Sequence, residues 1–89
     1  MTTMFARHQV ADFAAWRQVY DDFDSTRQSM GVTGQAVYRG AADPSDVTVT
    51  HDFATVEAAK QFAESSALRD VMQRAGVVGE PTIWFAERA

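Results

Sequence analysis

The chain has 89 residues, no cysteine and a formal net charge of −4, from 8 Lys and Arg against 12 Asp and Glu. That length makes one small domain, 1–89, which buries only about 60–65% of its unfolded surface; with no disulfide or thiolate metal site to support it, pairing as a homodimer is the expected reinforcement. The acidic balance, with Lys60 the one lysine, argues against nucleic acid and anionic membrane surfaces as partners, because both need clustered basic side chains.

No apolar run approaches the roughly 18 residues of a membrane span. The opening "MTTMFARHQV" lacks the charged and apolar regions of a secretory signal, so a cytoplasmic location is expected. Met4–Val10 reads as a first strand. Asp12 suits the cap of a following helix, in which Phe13, Trp16, Tyr20, Phe23, Arg27 and Met30 recur at spacings of 3 and 4. That is one stripe of an amphipathic helix over about five turns, closed by Gly31. Gln35–Arg39 predicts a second strand, apolar on both faces, so Tyr38 and Arg39 cannot be assigned a side. "GAADPSD" is a turn-rich loop. Val47–Phe53, "VTVTHDF", is a third strand and makes a hairpin with the second. Thr55 is the expected cap of a second helix with Val56, Ala59, Phe62 and Ala63 on one face. Ser66 is expected to recap a short helical turn carrying Leu68, Val71, Met72 and Ala75. Gly76 and Gly79 break it, and Pro81 opens a last strand, "TIWFAER", where proline is tolerated at the first position.

The order β-α-β-β-α-β predicts an α+β, ferredoxin-like sandwich: a four-stranded antiparallel sheet with both helices on one face. In the last strand Ile83 and Phe85 share one side and Trp84 takes the other. An aromatic on a face that should meet water points to a second cover, most simply the same sheet of another subunit.

The stretches "RHQVADFAAWRQVY", "GVTGQAVYRG", "DPSDVTVTHDF" and "LRDVMQRAGVVGEP" together resemble the short bacterial proteins of the dimeric α+β barrel superfamily, of the antibiotic biosynthesis monooxygenase-like and cyclase-like kind. The resemblance covers almost the whole chain. It implies two sheets packed face to face in a dimer, with a small cavity in each subunit between its own sheet and helices. Members include cofactor-independent oxygenases of aromatic polyketides, polyketide cyclases, lactone isomerases and haem-degrading enzymes; fold alone does not choose among them. The haem-degrading branch relies on an Asn and on a His in the second helical region. This chain has no Asn, and Val56–Ala75 has no His. Acylphosphatases share the strand order and also need an Asn. RNA-recognition motifs share it too, but "DVTVTHDF" lacks their basic, aromatic third-strand signature.

By the period of two, Met4, Ala6, His8 and Val10 form one row of the first strand, and Val47, Val49, His51 and Phe53 form one row of the third. The helices should cover these apolar rows. Both histidines of the chain then point toward the helices, directly opposite or diagonal across neighbouring strands, with about 5–8 Å between their Cβ atoms. Trp16, Tyr20 and Phe23 face them, and Phe62, Leu68 and Met72 close the end. An aromatic-lined pocket with few polar groups is the usual form of a small-ligand site, here for a planar aromatic or polyketide-like ligand. A buried imidazole, His51 or His8, stays neutral and suits a general base. Tyr20 suits hydrogen bonding to a developing oxyanion, with Trp16, Phe23, Phe62, Leu68 and Met72 holding the ring. Two histidines without HxxxH spacing are a weak metal signal, so neither a metal nor a cofactor is expected. The other reading is that each histidine is a satisfied core residue in a non-catalytic dimer. Arg7 and Asp52, on the opposite rows, are expected to pair within the subunit interface.

Overall fold

The computed structural model describes all 89 residues. β1 (Thr2–Val10) begins two residues before the expected start and alternates as its sequence demands: Thr2, Met4, Ala6, His8 and Val10 are buried. Asp12 caps α1 (Phe13–Asp22), its carboxylate accepting the Ala15 N–H at 3.3 Å. The stripe expected as one helix breaks at Phe23, and α2 (Asp24–Ser29) follows. Electrostatics favour the break. Asp21 and Asp22 crowd the negative end of α1 with no basic residue in its last turn, whereas Asp24 sits favourably in the first turn of α2. Gly31, at φ +97°, closes α2, a conformation that side chains with a Cβ resist.

β2 (Gly34–Arg39) and β3 (Asp46–Phe53) form the predicted antiparallel hairpin. The Thr55 hydroxyl caps α3 (Val56–Glu64), accepting the Ala58 N–H at 3.2 Å. The cap of α4 (Ser66–Arg74) is Ser65 rather than Ser66. Ser65 has extended backbone, and its hydroxyl donates to the Phe62 carbonyl and accepts from the Leu68 N–H, so one side chain serves the end of α3 and the start of α4. The last strand also differs from expectation. β4 runs Val77–Glu87 and takes in both Gly79 and Pro81. Its register with β1 passes from Arg7↔Thr82 to Gln9↔Val78, so β4 bulges opposite His8. Gly79 supplies the positive φ of +72° there, and a bulge spares Pro81 the ladder hydrogen bond it cannot donate.

The sheet order is β2-β3-β1-β4, antiparallel throughout. One face packs on the helices, where Met4, Ala6, Val47, Val49 and Phe53 meet Trp16, Ala59, Phe62, Leu68 and Val71 in one core. The other face is uncovered within the chain. Phe5 and Trp84 stack there at 5.3 Å, and Trp84 remains 42% exposed. Tyr38 shares that side opposite Thr48, while Arg39 reaches over the Phe13 ring at 3.9 Å. The expected Arg7–Asp52 pair does not form. Arg7 stands opposite Thr48 and holds Asp46 through two hydrogen bonds of 3.0 and 2.6 Å, which keep the Asp46 carboxyl below the usual range. Asp52 lies opposite Thr3 and accepts its hydroxyl at 2.7 Å. No helix is long and apolar enough to cross a membrane.

Candidate functional site

β1 and β3 are direct neighbours, so their apolar rows merge, and His8 and His51 both lie buried on the helix side of the sheet. They are further apart than expected. His51 pairs with Met4 and His8 with Val47, so four residues of strand separate the two. At the usual rise of a strand that is roughly 13 Å. The expected opposite or diagonal pairing is thereby excluded. α1 bridges the gap with a ladder of rings. His8 to Trp16 is 5.8 Å between centroids, Trp16 to Tyr20 is 5.0 Å, and Tyr20 to His51 is 6.4 Å. The helical spacing of four brings Trp16 over one histidine and Tyr20 over the other.

Between the sheet and helices lies a cavity of about 40 Å³, whose walls include His8, Trp16, Tyr20, Phe23, Arg27 and His51. Leu68 and Met72 of α4 close it on one side. The same two side chains form a wall of an open groove of about 440 Å³ between α4 and β4. They therefore stand between this small chamber and the larger outer groove. Phe62 does not line the cavity. It stands behind His51, at 5.1 Å, and packs on Phe53 and Phe23 as core.

The two histidines and the tyrosine at this cavity carry polar atoms that lack partners within the protein. Both ring nitrogens of His8, Nδ1 of His51 and the Tyr20 hydroxyl are buried without a hydrogen bond. Such atoms usually cost a fold about 1–3 kcal/mol each, and native cores rarely keep them without a use. Burial holds both imidazoles neutral. It lowers the His8 pKa, against a weaker pull from Asp46, and it pushes His51 down to about 4, with the Arg27 charge adding to the effect. Burial raises the Tyr20 pKa, so the phenol keeps its proton as a donor.

Arg27 is absent from the sequence-derived candidates. It is 2% exposed and its guanidinium lies 3.9 Å over the Tyr20 ring. Nε donates to Gln35 at 2.7 Å, one terminal nitrogen to the Tyr20 carbonyl at 2.7 Å, and the other to Asp24 at 3.2 Å. The signal was present in the sequence: Arg27 continues the apolar stripe four residues after Phe23, a place where a charge stays only for a purpose.

No protein-family model matches the sequence, and no curated protein does. Solved structures match over the full length. An antibiotic biosynthesis monooxygenase-like protein of Bordetella bronchiseptica is 16% identical, with 99% of this chain and 96% of that one covered and a TM-score of 0.86. A second protein of that kind, from Caulobacter crescentus, is 16% identical, with 99% and 89% covered and a TM-score of 0.78. SnoaB of Streptomyces nogalater, a cofactor-independent oxygenase, is 12% identical, with 99% and 94% covered and a TM-score of 0.75. The chain thus has, from end to end, the α+β fold of the antibiotic biosynthesis monooxygenase-like proteins.

Proposed function

We propose that this single-domain chain is a small-molecule enzyme of secondary or aromatic metabolism that abstracts a proton from a planar, polyketide-like substrate. It acts as a cofactor-free monooxygenase or as a cyclase or isomerase. The observation that carries this reading is the set of unpartnered polar atoms on His8, Tyr20 and His51 around one buried cavity. His51 is the base, since its Nδ1 is unpartnered and its ring neutral. Tyr20 donates to the resulting enolate or phenolate, His8 receives a polar group at the far end, and Trp16 and Phe23 hold the ring. The fold shared with SnoaB supports the oxygenase branch, in which the enolate would react with molecular oxygen.

The open sheet face supports a homodimer. Phe5, Tyr38 and Trp84 offer aromatic surface there, and a second copy laid on it removes Trp84 from water. The smallness of the cavity supports a second reading, a non-catalytic ligand-binding or structural homodimer. About 40 Å³ holds only roughly two or three waters, less than an aromatic ring needs unless wall side chains move.

Trp16 fluorescence decides between them, measured in a Trp84→Phe background and titrated with planar polycyclic phenols while oxygen uptake is followed without added cofactor. Binding with turnover that His51→Ala reduces by about 10²–10⁴, at little change in affinity, is expected of a general base. Binding without turnover favours the second reading. Absence of binding refutes the pocket.

A further inference from the structure

A neutral imidazole whose pKa burial has lowered is a weak acceptor for a phenol or enol proton. The site needs something that receives the negative charge left behind. The cavity wall supplies one formal charge. Its lining holds two histidines, a tyrosine and nine apolar residues, and no Asp or Glu, within a chain of net charge −4; the remaining residue is Arg27.

Resting on the pocket reading above, we propose that Arg27 is the anion-binding group of this site and that the ligand class is a planar acid bound as its anion: a phenolate, enolate or carboxylate. A guanidinium has five N–H donors. Three are engaged, on Gln35, the Tyr20 carbonyl and Asp24, leaving two. The three bonds lock the group in place, so it is preorganised and needs no reorientation when charge develops. Its one carboxylate partner, Asp24, is 45% exposed in its side chain and meets a single nitrogen at 3.2 Å. Water weakens that pair, so the positive charge is only partly neutralised. Stacking at 3.9 Å on the Tyr20 ring sets the cation beside the one hydroxyl donor in the wall.

Proton transfer is then balanced. Where the acid enters protonated, its O–H or C–H bond breaks, His51 takes the proton, and the electron pair stays on the ligand, now the anion, between Arg27, the Tyr20 hydroxyl and the new imidazolium. Asp24 and Gln35 act on this step through Arg27 as positioning residues.

The test uses 4-nitrophenol, whose phenolate absorbs distinctly, as the bound probe. A charge-assisted hydrogen bond favours the bound phenolate over the phenol by about tenfold or more, so the bound probe titrates at least about one pH unit below the free one. Arg27→Met removes that shift. Arg27→Lys keeps part of it. Asp24→Asn, a substitution at a half-exposed side chain that spares the fold, enlarges it by strengthening the uncompensated charge. Circular dichroism confirms that each variant is folded, and the Asp24→Asn result stands by itself if Arg27→Met does not fold. A probe that binds the wild type without a shift, or a shift unchanged in both Arg27→Met and Asp24→Asn, overturns the assignment of Arg27 and leaves the pocket standing. A probe that fails to bind at all overturns the pocket and this assignment together.

Discussion

Replacing His51 with glutamine removes a titrating group whose folded pKa is about 4 against 6.5 in the unfolded chain. The direction of the effect follows from linkage. Between those values the unfolded chain binds a proton at His51 and the folded chain does not, so acid favours unfolding. The contribution of His51 is therefore fully favourable above pH 6.5 and is lost progressively as the pH falls toward 4. The separation of about 2.5 units, at 1.36 kcal/mol per unit, makes the loss about 3 kcal/mol. For a chain of this size, that is a large share of a total stability of about 5–10 kcal/mol. The assay is urea unfolding at half-unit steps from pH 7.5 to 4 for wild type and His51→Gln. Carboxylates titrate alike in both, so the difference between the two curves isolates His51. That difference should be flat above the unfolded pKa. Below it the slope should approach about 1.4 kcal/mol per pH unit, with the wild type losing more. Parallel curves would mean a solvated imidazole, and the buried neutral base would fall with it.

Three other outcomes follow from the same structure. Trp84→Asp, on the uncovered sheet face, should turn a dimer into monomer or aggregate in sedimentation experiments, because burying an unpaired charge in an interface costs several kcal/mol; a stable dimer from that variant would refute the sheet-to-sheet pairing. Thr55→Ala deletes the hydroxyl that caps α3 and should lower unfolding stability by about 1 kcal/mol. Gly31→Ala places a Cβ at φ +97° and should cost about 1–2 kcal/mol, although the nearest atom, on the Phe53 ring, leaves ordinary space at 4.0 Å.

The order of strands and helical regions, the sheet-facing rows and two of the three side-chain helix caps are legible in the sequence, because they depend on local periodicity and on side chains that bond their own backbone; the division of the first helical region at Phe23 is not. Asp12 and Thr55 can be read as caps from spacing alone. Ser65 cannot be told from Ser66, since both are serines at the same junction and only the extended backbone of Ser65 decides. Likewise a strand that contains a positive-φ glycine and a proline looks broken in sequence. β4 is continuous because β1 beside it tolerates a bulge opposite His8. The facing of both histidines follows from the period of two. Their separation does not, because strand register is fixed by pairing across the sheet, and Met4↔His51 with His8↔Val47 sets them four residues apart along it. Only the assembled fold puts Phe62 behind His51 instead of at the cavity. It also brings Arg27 back over Tyr20 through Gln35 on β2, a contact between α2 and the sheet edge that no helical spacing specifies.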